Sequence, residues 1–415
     1  MSDVMDICRK ARETAPAVAA LSSGVKDEAL EAMAQALEDR ASFLAESNVR
    51  DLERARAEGA TATVIDRLTL TESRVASMAA GLRAVADQPD PVGEVVEGWK
   101  RPNGLLIERV RAPLGVVAVI YEARPNVTAD VAGLCLKSGN ACILRGSSIA
   151  LDSNRAIVEV LRAAAHGAGV PEGAIQLISD AGRESAVELM QAKGFVDLLV
   201  PRGGQALIKS IEEQATVPYI IDGDGNCHVY VDRSADPRMA NEIVVNAKTQ
   251  RPSMCNAAET LLVHAELADK WLPGALDLLA ERGVEVRGDE RVRQLWPDAR
   301  EATEEDWRTE YLDLKIAVKV VDSLDDAIAH VNTYGTWNAE AIVAQDVSAA
   351  RRFTSEVDSG SIFVNTSTRF SDGSEFGYGA EIGISTQKLH ARGPMGPVAL
   401  TTTKYVVWGE GQVRS

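Results

Sequence analysis

The segment QRPSMCNAAE, residues 250–259, contains a cysteine in a setting that could support nucleophilic chemistry. Cys255 lies in a predicted loop between a helix that ends near Lys248 and the next strand, and Arg251 is in the same loop. Loops held by rigid elements often carry reactive groups. Positive charge on Lys248 and Arg251 would favour the thiolate, which is the nucleophilic form of cysteine. The pattern predicts that Cys255 is a nucleophile, and the alternative is a cysteine that only packs in a core.

The other four cysteines have simpler interpretations. Cys135 and Cys142 lie within apolar elements and are predicted to be buried packing residues, and Cys8 lies on a predicted N-terminal helix. Cys227 and His228 are adjacent in a strand-like segment, so their side chains should point to opposite faces of a sheet. Five cysteines without CxxC spacing argue against a disulfide framework or a zinc site, and no metal-ligand cluster is visible in the sequence.

Length and charge limit the classes of protein to which the chain can belong. Its 415 residues are enough for two or three domains. Lys and Arg number 44 against 61 Asp and Glu, a net charge of −17, and no basic segment indicates a nucleic-acid interface. No apolar run approaches the ~20 residues that span a bilayer, and the N-terminus lacks a secretory signal pattern. We therefore expect a cytoplasmic protein that binds neither nucleic acid nor membrane.

The apolar patterns indicate the elements that must position Cys255. Helices are predicted over 26–58 and 64–86, and WKRPNGLLIERV at 99–110 predicts a hairpin with Asn103-Gly104 in its turn. From residue 114 onward, short apolar runs alternate with helical segments, which is typical of a parallel sheet covered on both faces. The predicted strands cover 114–121, 141–145, 175–179, 196–200, 217–222, 226–232, 259–264, 284–287, 317–322, 339–344, 361–365 and 399–409.

Several longer segments carry a resemblance to a known family. They are VIYEARPNVT (119–128), LKSGNACILRG (136–146), VPRGG (200–204), GNCHVYVD (225–232), NAKTQRPSMCNAAETLLV (246–263), STRFSDG (367–373), EFGYGAEIGISTQKLHARGPMG (375–396) and ALTTTKY (399–405). Together they resemble the gamma-glutamyl phosphate reductases, or glutamate-5-semialdehyde dehydrogenases, of the aldehyde dehydrogenase superfamily. The similarity covers nearly the whole chain.

The resemblance implies an α/β, aldehyde dehydrogenase-like fold with two domains built on parallel sheets and a β-hairpin oligomerisation arm. The ranges that it implies are 1–98, 113–229 and 365–394 for a cofactor-binding domain, 230–364 for a catalytic domain, and 99–112 with 395–415 for the arm. Such an arm implies a homo-oligomer, at least a dimer.

The resemblance also implies the reaction. The family reduces L-glutamyl 5-phosphate with NADPH to glutamate 5-semialdehyde and phosphate, the second step of proline synthesis from glutamate. By match to the motif, Cys255 would form a thioester. Asn126 is similar in position to the side-chain donor of the superfamily's oxyanion hole, and the backbone N–H of Cys255 would be the second donor. The alternative for Asn126 is a helix N-cap.

Five positions match places where the superfamily binds its cofactor. Arg145 stands where members often carry a lysine that contacts the adenosine ribose, and Ser148 stands where NAD-preferring members often carry glutamate; both residues are compatible with NADP(H). Gly203 and Gly204 precede a helix and could meet the cofactor diphosphate, or form a plain turn. Glu310 resembles the acid that holds the nicotinamide ribose, and the alternative is a solvated acid.

The implied substrate carries a phosphate and a carboxylate, both of which suit basic side chains. The candidates within the family motifs are Lys248, Arg251, Arg369 and Arg392, any of which could instead form a structural ion pair. Glutamate kinase, which would supply the labile acyl phosphate, is a possible partner. The alternatives are a phosphate-independent or CoA-acylating aldehyde dehydrogenase, a catalytically silent scaffold with the same fold, and a cysteine hydrolase.

Overall fold

The computed structural model describes residues 3–414, and for Thr63 it describes the backbone only. The chain divides into two compact units. The first unit contains the described residues up to Ile221, Gly377–Gly383 and the residues from Met395 onward; the second contains Asp222–Phe376 and Ile384–Pro394.

Helices and strands alternate along most of the chain. The helices are α1 (Asp3–Ala19), α2 (Ser23–Asp39), α3 (Ala41–Ala57), α4 (Ala62–Leu68), α5 (Glu72–Ala86), α6 (Asn126–Lys137), α7 (Leu151–Gly167), α8 (Arg183–Met190), α9 (Gln205–Gln214), α10 (Pro237–Thr249), α11 (Ala265–Ala280), α12 (Glu290–Leu295), α13 (Leu324–Tyr334) and α14 (Val347–Glu356). The strands are β1 (Val95–Lys100), β2 (Leu106–Pro113), β3 (Val116–Tyr121), β4 (Ala141–Arg145), β5 (Ile175–Leu177), β6 (Leu198–Arg202), β7 (Cys227–Val231), β8 (Ala258–His264), β9 (Glu285–Gly288), β10 (Arg300–Glu301), β11 (Lys315–Val321), β12 (Ala339–Val343), β13 (Ser361–Val364), β14 (Ile384–Ser385), β15 (Gly393–Pro394) and β16 (Thr401–Trp408).

The first unit contains a four-stranded parallel sheet in the order β5-β4-β3-β6. Every residue of β3 and β4 is buried, which explains why their sequences are continuous apolar runs without alternation. The chain leaves β3, β4 and β6 at the same edge of the sheet, the carboxyl edge. In open α/β sheets, ligands bind outside this edge.

The second unit contains a seven-stranded parallel sheet in the order β10-β9-β11-β8-β7-β12-β13. β8, at the centre of this sheet, is buried at every residue. Helix α10, which precedes β8, begins with Asp236 as its N-cap and Pro237 in its first turn, both of which favour helix initiation. The two parallel sheets confirm the predicted α/β fold class.

A three-stranded antiparallel sheet, β1-β2-β16, belongs to the first unit. β1 and β2 form a hairpin, and Gly104 in its turn has a φ of +91°, which glycine adopts without strain. Tyr405, Val407 and Trp408 on β16 are exposed. β1 and β2 correspond to the hairpin that the sequence predicted at 99–110, and β16 corresponds to the strand predicted at 399–409.

The unit boundaries differ from the domain ranges drawn from the resemblance. Those ranges assign residues 222–229 to the cofactor domain, whereas the structure places them in the second unit. The reason is that β7 is hydrogen-bonded between β8 and β12. Residues 365–376 and 384–394 likewise belong to the second unit.

Three predicted elements were wrong in detail. The helix predicted over 26–58 is two helices, and Arg40 ends α2 and begins α3. The helix predicted over 64–86 is also two, and Thr71 caps α5 by accepting a hydrogen bond from the N–H of Arg74. The strand predicted over 217–222 consists only of isolated bridges, because Pro218 has no N–H to donate. Among the described residues, the structure contains no helix long and apolar enough to cross a membrane.

Candidate active site

Cys255 differs from the other four cysteines in its exposure. It is half-buried, whereas Cys8, Cys135, Cys142 and Cys227 are buried. It lies in the segment between α10 and β8, residues 250–257, which we call the nucleophile loop. A thiol must be reached by its reaction partner, so Cys255 is the cysteine whose exposure suits a nucleophile.

The backbone of Cys255 packs directly against Gly225. A Cβ at Gly225 would lie 1.5 Å from the carbonyl oxygen of Cys255, so this position requires glycine. The buried Sγ of Cys227 donates a hydrogen bond to the same carbonyl oxygen at 3.2 Å. Burial raises the pKa of Cys227, which keeps its thiol protonated as a donor. Cys227 therefore holds the backbone of the candidate nucleophile.

Asn256 links the nucleophile loop to the segment around residue 369. Its side chain is buried, and its Nδ2 donates to the carbonyl oxygen of Ser371 at 2.9 Å. The Oγ1 of Thr368 donates in turn to the carbonyl oxygen of Asn256 at 2.7 Å. These two bonds place Arg369 close to the loop that carries Cys255.

Arg369 has the properties of an anion ligand. Its Nε donates to Oε1 of Gln250 at 2.9 Å, and its buried Nη1 has no hydrogen-bond partner among the described residues. Burial lowers the pKa of the guanidinium, while Asp372 and the Cys255 sulfur act in the opposite direction. Arg251, which is exposed, adds to the lowering. Two guanidinium groups near one thiol form a region of positive potential that suits an anionic substrate.

Lys248, unlike Arg251, is shielded from solvent. Its side chain is fully buried, and its Nζ donates to Oε2 of Glu259 at 2.6 Å. Burial lowers the pKa of Lys248 and raises that of Glu259 to about 7, and each charge partly offsets the shift of the other. The structure thus places Lys248 in an internal ion pair. Sequence reasoning missed Glu259, although an acidic residue inside the buried strand AETLLVH was a signal of a buried partner.

Glu310 is half-buried and contacts Gly225. Its Oε1 accepts a hydrogen bond from the N–H of Gly225 at 2.8 Å. Burial raises the pKa of Glu310 to about 7, and Asp224 also raises it, whereas the Gly225 N–H lowers it. The contact joins Glu310 to the glycine that packs on Cys255.

Arg392 lies in a charged cluster. Its Nη2 donates to Oδ1 of Asp358 at 2.9 Å, and Lys388 contacts the other carboxylate oxygen of the same residue. Arg392 thus shares one protein carboxylate with Lys388, and its buried Nε, like Nη1 of Arg369, has no hydrogen-bond partner among the described residues.

In the first unit, Asn126 is the first residue of α6, and Pro125 precedes the helix as its cap. The carboxamide of Asn126 is exposed and its Nδ2 donates to Oδ2 of Asp130 at 3.0 Å. Burial raises the pKa of Asp130 to about 6, and the bond from Asn126 acts against that rise. Asn126 is thus not the helix cap that the sequence left open as its alternative role.

Arg145 and the serines after it end β4 at the carboxyl edge of the sheet. The Nη2 of Arg145 donates to the carbonyl oxygens of Ala181 and Gly182 at 2.6 and 2.7 Å. Its Nε and the Oγ of Ser147 are buried without a partner among the described residues, and Ser148 is exposed. Unpaired donors at this edge suit a ligand with phosphate or hydroxyl groups.

Gly203 and Gly204 lie between β6 and α9. The N–H of Gly204 donates to Oε1 of Glu122 at 2.9 Å, and a Cβ at Gly203 would meet the same carboxylate at 2.8 Å. A carboxylate thus occupies the N-terminus of α9, where helix dipoles favour anions. The sequence analysis missed Glu122, although its position directly after β3 was visible. We call residues 122–126, 145–148 and 203–204 the cofactor edge.

Comparisons with known proteins agree with this arrangement. The profile of the aldehyde dehydrogenase family matches residues 1–293, more than half of the chain. The chain is 56% identical over 406 residues to a gamma-glutamyl phosphate reductase of Moorella thermoacetica, with 98% of this chain and 97% of the relative covered. It is 55% identical to one of Thermobifida fusca, with 99% of each covered. The crystal structure of a gamma-glutamyl phosphate reductase from Thermotoga maritima matches with a TM-score of 0.97, at 45% identity and with 100% of both chains covered.

The two parallel sheets, the half-exposed cysteine and the family profile define an oxidoreductase of the aldehyde dehydrogenase class, whose members use a nicotinamide cofactor. Within that class, the chain belongs to the gamma-glutamyl phosphate reductases.

Proposed function

We propose that the protein reduces L-glutamyl 5-phosphate to L-glutamate 5-semialdehyde and phosphate with NADPH, the second step of proline synthesis from glutamate. The observation that carries this proposal is a half-exposed thiol, Cys255, near an arginine whose Nη1 has no partner among the described residues. Full-length relatives named gamma-glutamyl phosphate reductase support the choice of substrate.

Cys255 is the nucleophile in this proposal. Its thiolate attacks the acyl carbon, a C–S bond forms, and the bond from that carbon to the phosphate oxygen breaks, which releases phosphate. Bound NADPH supplies the hydride that the thioester carbon receives. The C–S bond then breaks, and the aldehyde and the Cys255 thiolate are formed. Forming a covalent intermediate divides a difficult displacement into two easier steps.

Arg369 and Arg251 are the proposed ligands of the substrate anion. Arg369 offers a buried Nη1 that no described residue pairs, near enough to Cys255 for their charges to interact, and Arg251 is exposed on the nucleophile loop. A guanidinium fork matches the oxygens of phosphate and carboxylate. Lys248 and Arg392 bind Glu259 and Asp358 in the structure, and we leave them out of the proposed substrate site.

The cofactor edge is the proposed NADPH site. Its donors fit the cofactor, because Arg145 Nε and Ser147 Oγ lack partners among the described residues and Ser148 carries no charge that would repel a 2′-phosphate. Gly204 can approach a diphosphate closely once the Glu122 carboxylate moves from its N–H. Glu310 is the proposed ligand of the nicotinamide ribose, and Asn126 the proposed side-chain donor to the oxyanion.

We also propose that the protein forms a homo-oligomer through the β1-β2-β16 sheet. Trp99 and Tyr405 lie edge to face across this sheet and are both exposed, together with Val407 and Trp408. A group of exposed aromatic and apolar side chains is typical of an interface between subunits.

The reverse reaction tests the proposal most directly. Protein is mixed with glutamate 5-semialdehyde and NADP+, with and without phosphate, and NADPH formation is followed for wild type and Cys255→Ala. We expect phosphate-dependent NADPH formation that falls by at least about 1000-fold in the variant, because the covalent route is removed. Cys8→Ala, which removes a buried thiol of the first unit, is the matched control for thiol loss at a buried position. Phosphate-independent turnover would contradict the proposed substrate, and full activity in folded Cys255→Ala would contradict the proposed nucleophile.

A further inference from the structure

Lys248 and Glu259 lie at the two ends of the nucleophile loop. Lys248 is in the last turn of α10, and Glu259 is the second residue of β8. Their Nζ–Oε2 contact of 2.6 Å therefore closes the base of the segment that carries Cys255. A contact at this place limits how far the ends of the loop can separate.

The burial of the pair makes its stability contribution small. Both side chains are fully shielded from solvent. Transferring two charges from water costs about as much free energy as their attraction returns, and apolar side chains of similar size often give an equally stable protein. A buried glutamate in the central strand of a parallel sheet breaks the apolar pattern of such strands, and residues that break such patterns concentrate at functional sites.

Glu259 has a second contact that reaches the other side of the site. Its Oε1 accepts a hydrogen bond from the N–H of Leu312 at 3.3 Å. Leu312 has a φ of +52°, in the left-handed region that side chains other than glycine rarely adopt. The bond thus holds a strained residue two positions after Glu310.

The contacts then continue back to the nucleophile. Glu310 accepts the N–H of Gly225, and Gly225 packs on the carbonyl oxygen of Cys255. The contacts form a closed ring. The backbone of the nucleophile loop connects Cys255 to Glu259, and Glu259 is hydrogen-bonded to Leu312, which lies two residues after Glu310. Glu310 accepts a hydrogen bond from Gly225, and Gly225 packs on Cys255. Glu259 is the residue in this ring that contacts two separate segments with its two oxygens.

We propose that Lys248 and Glu259 are positioning residues that act together through the nucleophile loop to fix Cys255 relative to Glu310. Neither side chain touches the substrate; their effect on chemistry comes through the backbone of residues 250–257 and 310–312. This inference rests on the proposed function for its kinetic consequence, but the structural part can be measured without substrate or cofactor.

The test uses three variants and a matched control. Lys248→Met and Glu259→Gln each remove one charge at nearly constant volume, and the double variant Lys248→Met/Glu259→Leu replaces the pair by apolar groups. The control is Lys26→Met in the first unit, because Lys26 is equally buried and its Nζ contacts Asp90 at 2.7 Å.

Two readouts are taken on the full chain without ligands. Amide hydrogen exchange is followed by mass spectrometry for peptides that cover 250–257 and 310–312, and the rate at which the Cys255 thiolate displaces iodide from iodoacetamide is measured on the same samples across a pH series. We expect exchange in both segments to rise by about tenfold or more in both single variants and in the double variant, since local opening becomes easier. Alkylation of Cys255 should change by about threefold or more, and Lys26→Met should change neither readout.

The kinetic readout is the reverse reaction described above. Displacing a nucleophile by about 1 Å costs on the order of 100-fold in rate, so kcat should fall by about that factor while KM changes by less than about threefold. If wild type lacks the proposed activity, the exchange and alkylation results still decide whether the pair positions the loop.

Several outcomes would overturn the proposal. One is wild-type exchange and alkylation in folded Lys248→Met and Glu259→Gln. Another is a double variant in which loop exchange, Cys255 alkylation and the unfolding midpoint all return to wild-type values, which would show that filling the space is sufficient. Failure of both single variants to fold, under conditions where Lys26→Met folds, would assign the pair to stability and not to positioning.

Discussion

The nucleophile loop and the cofactor edge both hold predicted site residues, but they hold them in opposite ways. Around the loop, Lys248, Asn256 and Glu259 are buried, and the backbone of Cys255 has one neighbour, Gly225, that no other residue type can replace. At the cofactor edge, Asn126 and Ser148 are exposed. The Asn126 side chain and the Gly204 N–H each donate one hydrogen bond there, whereas Arg145 is held by two bonds to backbone carbonyls.

The difference corresponds to what each region is proposed to do. Attack on an acyl carbon depends on sub-ångström placement of one sulfur, so the loop is enclosed by contacts that leave it little freedom. A cofactor that enters and leaves needs donors that can exchange partners, as Gly204 can exchange the Glu122 carboxylate for another anion. Substitutions around the loop should therefore change turnover, and substitutions at the edge, apart from the proposed oxyanion donor Asn126, should change cofactor affinity.

Among the substitutions that test this comparison, Gly225→Ala is expected to have the largest effect, because it disrupts the tight contact with Cys255. The new Cβ would lie 1.5 Å from the carbonyl oxygen of Cys255, and backbone must move to relieve the overlap. We expect kcat to fall by at least about 100-fold, because a small displacement of the nucleophile is sufficient for such a loss. Steady-state kinetics of the reverse reaction provide the measurement.

Gly274→Ala is the matched control for that substitution. A Cβ at Gly274, inside α11, meets nothing within 4 Å, and alanine favours a helix over glycine by about 1 kcal/mol. Its activity should equal that of wild type. Retention of wild-type kcat in Gly225→Ala would show that the nucleophile loop can shift without loss of turnover, which contradicts the tight placement of Cys255.

A smaller effect is expected from Ser148→Glu at the cofactor edge. Ser148 is exposed, so the substitution disturbs little of the fold, and a carboxylate there would repel the 2′-phosphate of NADP+. We expect KM for NADP+ to rise by about tenfold with kcat nearly unchanged, equivalent to about 1.4 kcal/mol. Ser148→Ala separates charge from loss of the hydroxyl. Equal KM values for NADP+ in all three proteins would remove Ser148 from the proposed site. Arg145→Glu is a less clean test, because Arg145 also holds the carbonyl groups of residues 181–182.

The smallest expected effect is a change in pH-dependent stability from Asp130→Asn. Burial raises the pKa of Asp130 to about 6 in the folded protein, above its ordinary value in an unfolded chain. A raised carboxyl pKa favours folding at low pH, and that contribution is lost as pH rises from about 4 to about 6. Asparagine carries no such cost, so the variant should be more stable than wild type at neutral pH, by about 3 kcal/mol at most.

Thermal unfolding measured below pH 4 and at neutral pH checks this expectation. The advantage of Asp130→Asn should vanish in the acidic sample, and the variant keeps an oxygen that can accept the Nδ2 bond from Asn126. Asp298→Asn, at an exposed position, makes the same change in net charge and is the control. An equal shift at both pH values would mean that burial of the carboxyl is not the cause.

The regular part of the fold was predictable from the sequence. Continuous apolar runs such as VVAVIY and the helical segments between them predicted a parallel α/β architecture, because strands buried on both faces leave that pattern. Helix breaks were not predictable in the same way. No glycine or proline marks the break at Arg40, where only the backbone conformation, with φ −107° and ψ 17°, ends one helix and starts the next.

The candidate site was predictable where chemistry depends on one residue type and not where it depends on contacts across the chain. Cys255 stood out through its loop and its basic neighbours. The partner of Lys248 could not be inferred from composition, because its engagement with Glu259 requires knowing that both side chains are buried. The need for glycine at residue 225 follows from a carbonyl group 30 positions later, which local turn patterns do not report.

The path of the chain through its units also governs the order in which the protein can be completed. The second unit is encoded mostly as one continuous insertion, Asp222–Phe376, whereas β2 waits for β16, and Trp408 bonds to Glu108, 300 positions earlier. During synthesis β2 therefore has one neighbour, β1, until the final strand has left the ribosome. An open strand edge is a template for pairing with another nascent chain. Once Thr401–Trp408 has been synthesised, it can pair with β2. From then on, the edge of β2 is no longer open to other nascent chains on the same mRNA.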